Sequence, residues 1–73
     1  MCGIIGITSS KPVSSTIINS LRKLEYRGYD SAGIATLSDG LINEIKSEGR
    51  VDNLEKNLLI KNMSGSVGIG HVR

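Results

Sequence analysis

The side chains of this chain best suited to chemistry on a small polar substrate lie at its two ends: Cys2 near the start, His71 and Arg73 at the finish. Cys2 follows Met1, and so small a second residue permits enzymatic removal of the methionine. The thiol then shares one residue with a free α-amine. A free thiol titrates at about 8.5 and an α-amine at about 7.7–8.0, so the amine takes the thiol proton close to neutral pH, directly or through one water. Such a nucleophile carries its own general base and needs no separate histidine. Gly3 lets the chain bend there and a substrate carbonyl approach. The plainer alternative is a small buried hydrophobe, which is how most free cysteines behave.

His71 and Arg73 share one side of a strand by the two-residue alternation. The planar guanidinium fork of Arg73 suits a carboxylate. The plainer alternative here is a solvated arginine and a strand histidine satisfied by its neighbours. One His and one Cys far apart in sequence do not make a metal set. Gly3 and Gly6, and Gly65, Gly68 and Gly70, lack both the strand–GxGxxG–helix and the GxxxxGK[ST] context of phosphate loops. Close strand packing accounts for these glycines, and no cofactor is expected.

The elements that must position these groups follow from patterning. Gly3 to Thr8 is a short, nearly all-apolar run with β-branched residues, expected as a strand covered on both faces rather than an edge. Ser9, Ser10 and Pro12 signal a helix start with a serine cap. Val13, Ile17, Leu21 and Leu24 recur at helical spacing, so an amphipathic helix should run to about Leu24. Glu25 to Gly33 breaks the period, holds both tyrosines (Tyr26 and Tyr29) and reads as a constrained loop. Ile34 to Leu37 and Leu41 to Ile45 flank Ser38-Asp39-Gly40, a hairpin signal. Val51, Leu54, Leu58 and Leu59 predict a second helix, with Asp52 and Glu55 placed like a capping box. Asn62 to Ser66 is a turn-rich connection, and Val67 to Val72 a further strand. The order is β-α-ββ-α-β, without repeat or linker. Arg73 closes the sequence with no cap, turn or polar tail, so a truncated domain spanning residues 1–73 is expected.

Composition narrows the function classes. Nine Lys and Arg against seven Asp and Glu give a net charge of +2 spread along the chain, too weak a footprint for nucleic acid. No apolar run approaches a membrane span, and no basic region precedes a long apolar stretch at the N-terminus. A single cysteine and no signal-like segment suggest a reducing, cytoplasmic setting.

Three segments together carry a resemblance: Met1-Cys2-Gly3-Ile4-Ile5-Gly6, the ten residues Leu24-Glu25-Tyr26-Arg27-Gly28-Tyr29-Asp30-Ser31-Ala32-Gly33, and Gly68-Ile69-Gly70-His71-Val72-Arg73. In order and spacing they resemble the start of class II glutamine amidotransferases, and the central stretch is most like the sugar-phosphate aminotransferases of that family. The resemblance implies an α+β fold of the N-terminal-nucleophile hydrolase type, an αββα sandwich of which the opening β-α-ββ-α-β portion is present. It implies that Cys2, once Met1 is gone, attacks the side-chain amide of glutamine, and that Arg73 holds the glutamine α-carboxylate. Arg27 matches the loop that walls the nucleophile's pocket, and no specific catalytic role is carried over to it. Val72 stands where a Thr is common in the family.

In the family the oxyanion-hole and ammonium-binding groups follow the position of Arg73. Losing the oxyanion donors alone typically costs ~10²–10³ in rate. The 73 residues are therefore expected to be inactive by themselves, with glutamine as substrate once a complementing fragment supplies the remainder in trans. A non-catalytic remnant, or a small binding or structural module, is the alternative.

Overall fold

A computed structural model describes residues 3–24, 30–61 and 63–73, with only the backbone described for residues 58–61. Its elements are β1 (Gly3–Thr8), α1 (Ser14–Leu24), β2 (Ser31–Ser38), β3 (Leu41–Glu48), α2 (Val51–Lys61) and β4 (Val67–Val72). The architecture is α+β, in the expected element order. The strands form one antiparallel sheet in the order β1-β4-β2-β3. Helix α1 packs over β1 and β4, α2 over β3 and β2, and the helices touch each other on the same face.

Asp39 and Gly40 both have positive φ, 52° and 76°, and Ser38 pairs with Leu41 across them. This is the two-residue turn whose twist matches the flanking strands, and it requires residues that tolerate φ > 0. The Asp-Gly signal is borne out.

The sheet register sorts every strand residue onto one of two faces. Ile5, Gly70, Ile34 and Ile45 form one cross-strand row beneath the helices, and Ile7, Gly68 and Thr36 lie in the next. Val13, Ile17, Ile18 and Leu21 of the α1 segment, with Val51 and Leu54 of α2, complete the core with Ala32 and Val72. Thr36, the only buried residue with a polar side chain among those described, donates its hydroxyl to the Ser64 carbonyl at 2.6 Å, which offsets the cost of removing it from water.

Glycine in β4 lets α1 sit directly on the strand. A Cβ at Gly70 would run into Ile17 Cγ2, and one at Gly68 would lie 2.8 Å from Ile17 Cδ1. Close strand packing is thus the reason for these two residues. Gly70→Ala is expected to destabilise the domain by about 1–3 kcal/mol through overpacking. Gly6→Ala on the opposite face, where the nearest atom is Ile69 Cγ2 at 3.8 Å, should have no such effect. Chemical denaturation of the two variants checks the contrast.

Four expectations need correction. First, β1 is an edge strand of the described sheet, with Ile4, Gly6 and Thr8 exposed and Gly3, Ile5 and Ile7 half-buried. It packs helices on one face only. Second, neither Ser9 nor Ser10 caps α1, which begins at Ser14. Val13 precedes it, giving its N–H to the Gly65 carbonyl at 3.0 Å and its own carbonyl to Ile17 N–H at 2.9 Å. Ser9 Oγ instead accepts from Lys11 N–H at 3.2 Å, closing a local turn. Third, β2 starts at Ser31 rather than Ile34 and β3 runs on to Glu48, because residues 31–33 and 46–48 pair with each other. Fourth, Asp52 and Glu55 do not form a capping box. Each accepts from Arg22, through Nη1 and Nη2 at 2.6 Å, which ties α1 to α2. Expected core positions Leu58 and Leu59, and loop residues 25–29, lie outside the described side chains.

Candidate functional site

The chemistry-bearing positions converge at one end of the sheet, where β1 and β2 begin and β3 and β4 finish. Gly3 pairs with Val72, Val72 with Ala32, and Ser31 with Glu48. The strands run antiparallel, so residues remote in sequence share this end.

Arg73 is fixed there by its backbone. Its N–H donates to the Ser31 carbonyl at 2.9 Å, and its carbonyl accepts from Ser31 N–H at 3.0 Å and from Asp30 N–H. Gly49 N–H in turn donates to the Asp30 carbonyl at 2.8 Å, which anchors that corner to the end of β3. The Arg73 side chain is exposed. No described carboxylate forms an ion pair with it, although Asp30 and Glu48 line the same cleft of about 470 Å³. Unpaired with any described carboxylate, the exposed guanidinium offers donors suited to a ligand carboxylate.

His71 stands on the same face of β4 as Arg73, as alternation predicts. That face carries no helix. Its ring reaches across to β2: a Cβ placed on Gly33 would collide with His71 Nε2 and lie 3.1 Å from Cδ2 and Cε1. Gly33 is buried beneath the ring although it lies on the open face. A second cleft, of about 170 Å³, lies on this side, between His71, Ser31, Lys46 and Glu48. Ile4, beside His71, is 81% exposed, and farther along the open face Leu37, Ile42, Val67 and Ile69 are exposed as well.

Cys2 and Arg27 lie outside the described residues. Cys2 is bonded to Gly3, whose partner Val72 is bonded to Arg73, so the two ends of the sequence enter the sheet as neighbours. The sequence reading missed Asp30, Ser31 and Gly33 as parts of this corner. It placed them in a loop, and the only hint was two small residues before Gly33, with room for another side chain above them. Among the described residues no three His, Cys, Asp or Glu side chains gather as a metal would require. Among those residues, too, no helix is long and apolar enough to cross a membrane.

No family model matches the chain. Individual known proteins do. Over all 73 residues it is 53% identical to glutamine–fructose-6-phosphate aminotransferase (isomerizing) of Clostridium acetobutylicum. The proteins of the same name from Bradyrhizobium diazoefficiens and Brucella suis are 49% and 51% identical over the same span. The chain spans 12% of the length of each of these relatives. At about half-identity over its whole length, the chain is therefore similar to the N-terminal part of glutamine–fructose-6-phosphate aminotransferase, a protein whose N-terminal domain is the class II glutamine amidotransferase domain.

Proposed function

We propose that this chain supplies the nucleophile and the carboxylate clamp of a glutamine-hydrolysing site, with Cys2 as catalytic residue and Arg73 as substrate-binding residue. The observation that carries the reading is the pairing of Gly3 with Val72. Consecutive Cα atoms are about 3.8 Å apart and paired strand residues about 4.5–5.5 Å, so the Cα atoms of residues 2 and 73 can be no farther apart than roughly 13 Å. A glutamine held at one residue by its α-carboxylate is then within reach of the other through its side chain. The names of the relatives support glutamine as the nitrogen donor.

The chemistry balances as hydrolysis. With Met1 removed, the Cys2 thiol passes its proton to its own α-amine, and the sulfur adds to the side-chain amide carbon. The carbon–nitrogen bond breaks, the ammonium returns its proton to the leaving nitrogen, and ammonia departs. A γ-glutamyl thioester remains on Cys2. Water, deprotonated by the amine, then adds to that carbon, the carbon–sulfur bond breaks, and glutamate and the free thiol are restored. The donors that steady the developing oxyanion are assigned to sequence outside these residues, so the 73 residues alone are inactive in this reading.

The fold reading follows the same line. The exposed Leu37, Ile42, Val67 and Ile69 of the helix-free face, away from the Arg73 corner, are those a second sheet would cover in an αββα sandwich of the N-terminal-nucleophile type. The reaction is assigned to the cytoplasm, where a lone thiol stays reduced.

The test uses the product of the whole reading frame. Glutamine should yield glutamate and ammonia one for one, and acid-quenched turnover should place a γ-glutamyl adduct on a peptide that begins with Cys2. A peptide still beginning with Met1, and no adduct on the thiol, would overturn the reading.

A further inference from the structure

We infer that Gly33 is a specificity-determining position, which makes room for substrate at the Arg73 corner by letting the His71 ring turn aside onto β2. The inference rests on the proposed glutamine site and adds a residue to it.

The argument begins with a side chain that could lie either way. On the open face His71 is flanked by Ile4 of β1 and by Gly33 of β2. Its ring tip sits on Gly33, where it fills the place of a Cβ, and Gly33 is buried although it faces the side that carries no helix. Ile4, on the other flank, remains 81% exposed. The ring therefore covers β2 and leaves bare the side on which β1 leads back to Cys2. Arg73 projects from the same face two residues on, about 7 Å along the strand, and its neighbour on β2 is the small Ser31. Both β2 residues that flank the working side of β4 are thus small. At Ser31 this spares the guanidinium, and at Gly33 it gives the imidazole a berth.

A methyl group at Gly33 removes that berth. The three atoms nearest to it are all in the imidazole ring, so the side chain yields by rotating toward β1 or toward Arg73. In either case it enters the volume a substrate needs between the two ends of the sequence. His71 itself performs no chemical step here; its ring is harmless only while it lies over Gly33.

This predicts a pattern across three variants of the whole gene product. Gly33→Ala should raise the KM for glutamine by about tenfold, with kcat changed less than threefold, since ground-state and transition-state binding are obstructed alike. His71→Ala should stay within threefold of wild type in both constants. The double variant Gly33→Ala/His71→Ala should return KM to within threefold of wild type, because nothing is left for the methyl group to displace. A tenfold rise in KM that persists in the double variant would overturn the inference, as would a Gly33→Ala variant with unchanged KM. If Gly33→Ala does not fold, the double variant alone decides by the same criterion. Failure of the underlying glutaminase reading shows differently, as wild-type protein that releases no ammonia or forms no adduct on Cys2.

Discussion

Under the proposed function, Cys2→Ala should eliminate glutamine hydrolysis by the whole gene product, lowering kcat by about 10⁴-fold or more, the scale of loss when a covalent nucleophile is deleted. The variant keeps the α-amine once Met1 is removed and loses only the sulfur, so no covalent intermediate can form. Substrate binding should survive, since the backbone of Arg73 is held by its hydrogen bonds with Ser31 and Asp30. Calorimetric titration of Cys2→Ala with glutamine should therefore show binding without ammonia release. The pH profile carries the same signature. The amine must be neutral to accept the proton, so kcat/KM falls as pH drops through the ordinary α-amine value of about 7.7–8.0. Blocking the amine by leaving Met1 in place should mimic the loss at every pH. A Cys2→Ala enzyme within tenfold of wild type would end the proposal.

In the proposed site Arg73→Ala should produce the other large effect, a fall of about 10²–10³-fold in kcat/KM for glutamine, carried mostly by KM. The estimate follows from losing a charge-assisted, two-point grip on a carboxylate, which costs about 2–5 kcal/mol where the partner is left unpaired. Arg73→Lys keeps the charge and loses the fork, so it should fall between, about tenfold below wild type. Neither change should lower thermal stability measurably. The register at this corner is made by the backbone of Arg73 on Ser31, and the side chain is exposed and unpaired among the described residues. Steady-state kinetics beside a melting curve separates the two contributions. A variant that melts early and loses activity in proportion would reassign Arg73 to a structural role.

What the sequence disclosed is what local chemistry decides. Asp39-Gly40 turns the hairpin because each residue tolerates positive φ, and that preference needs no neighbour. Gly68 and Gly70 point to close packing because only a missing side chain lets α1 approach. The concealed features all depend on partners far along the chain. Asp52 and Glu55 have capping-box spacing, yet Arg22, about thirty residues earlier, takes both carboxylates. Ser31, Ala32 and Gly33 have weak strand preference and are held in β2 by pairing on both sides, with Glu48, Ser47 and Lys46 in β3 and with Val72 and His71 in β4 for the latter two.

The same division runs through the candidate site. Cys2 and Arg73 stand out by residue type and by their motifs. Gly33 matters for what it lacks, and that is apparent only once His71 is seen lying over it. The apolar run of Gly3 to Thr8 suggested burial on both faces because Ile4 is as hydrophobic as Ile5 and Ile7. In the described sheet Ile4 points away from the helices, and the sequence carries no mark of which isoleucine faces which side.

The pairing of Gly3 with Val72 also sets a timetable for synthesis. Among the described strands β1 has one neighbour, β4, and β4 is the last of them to leave the ribosome. Contacts this distant in sequence form late, so the opening segment emerges with no sheet to join. That interval is when a peptidase would remove Met1 in the proposed enzyme. In the proposed enzyme the maturation that creates the catalytic amine thus precedes the docking that positions it.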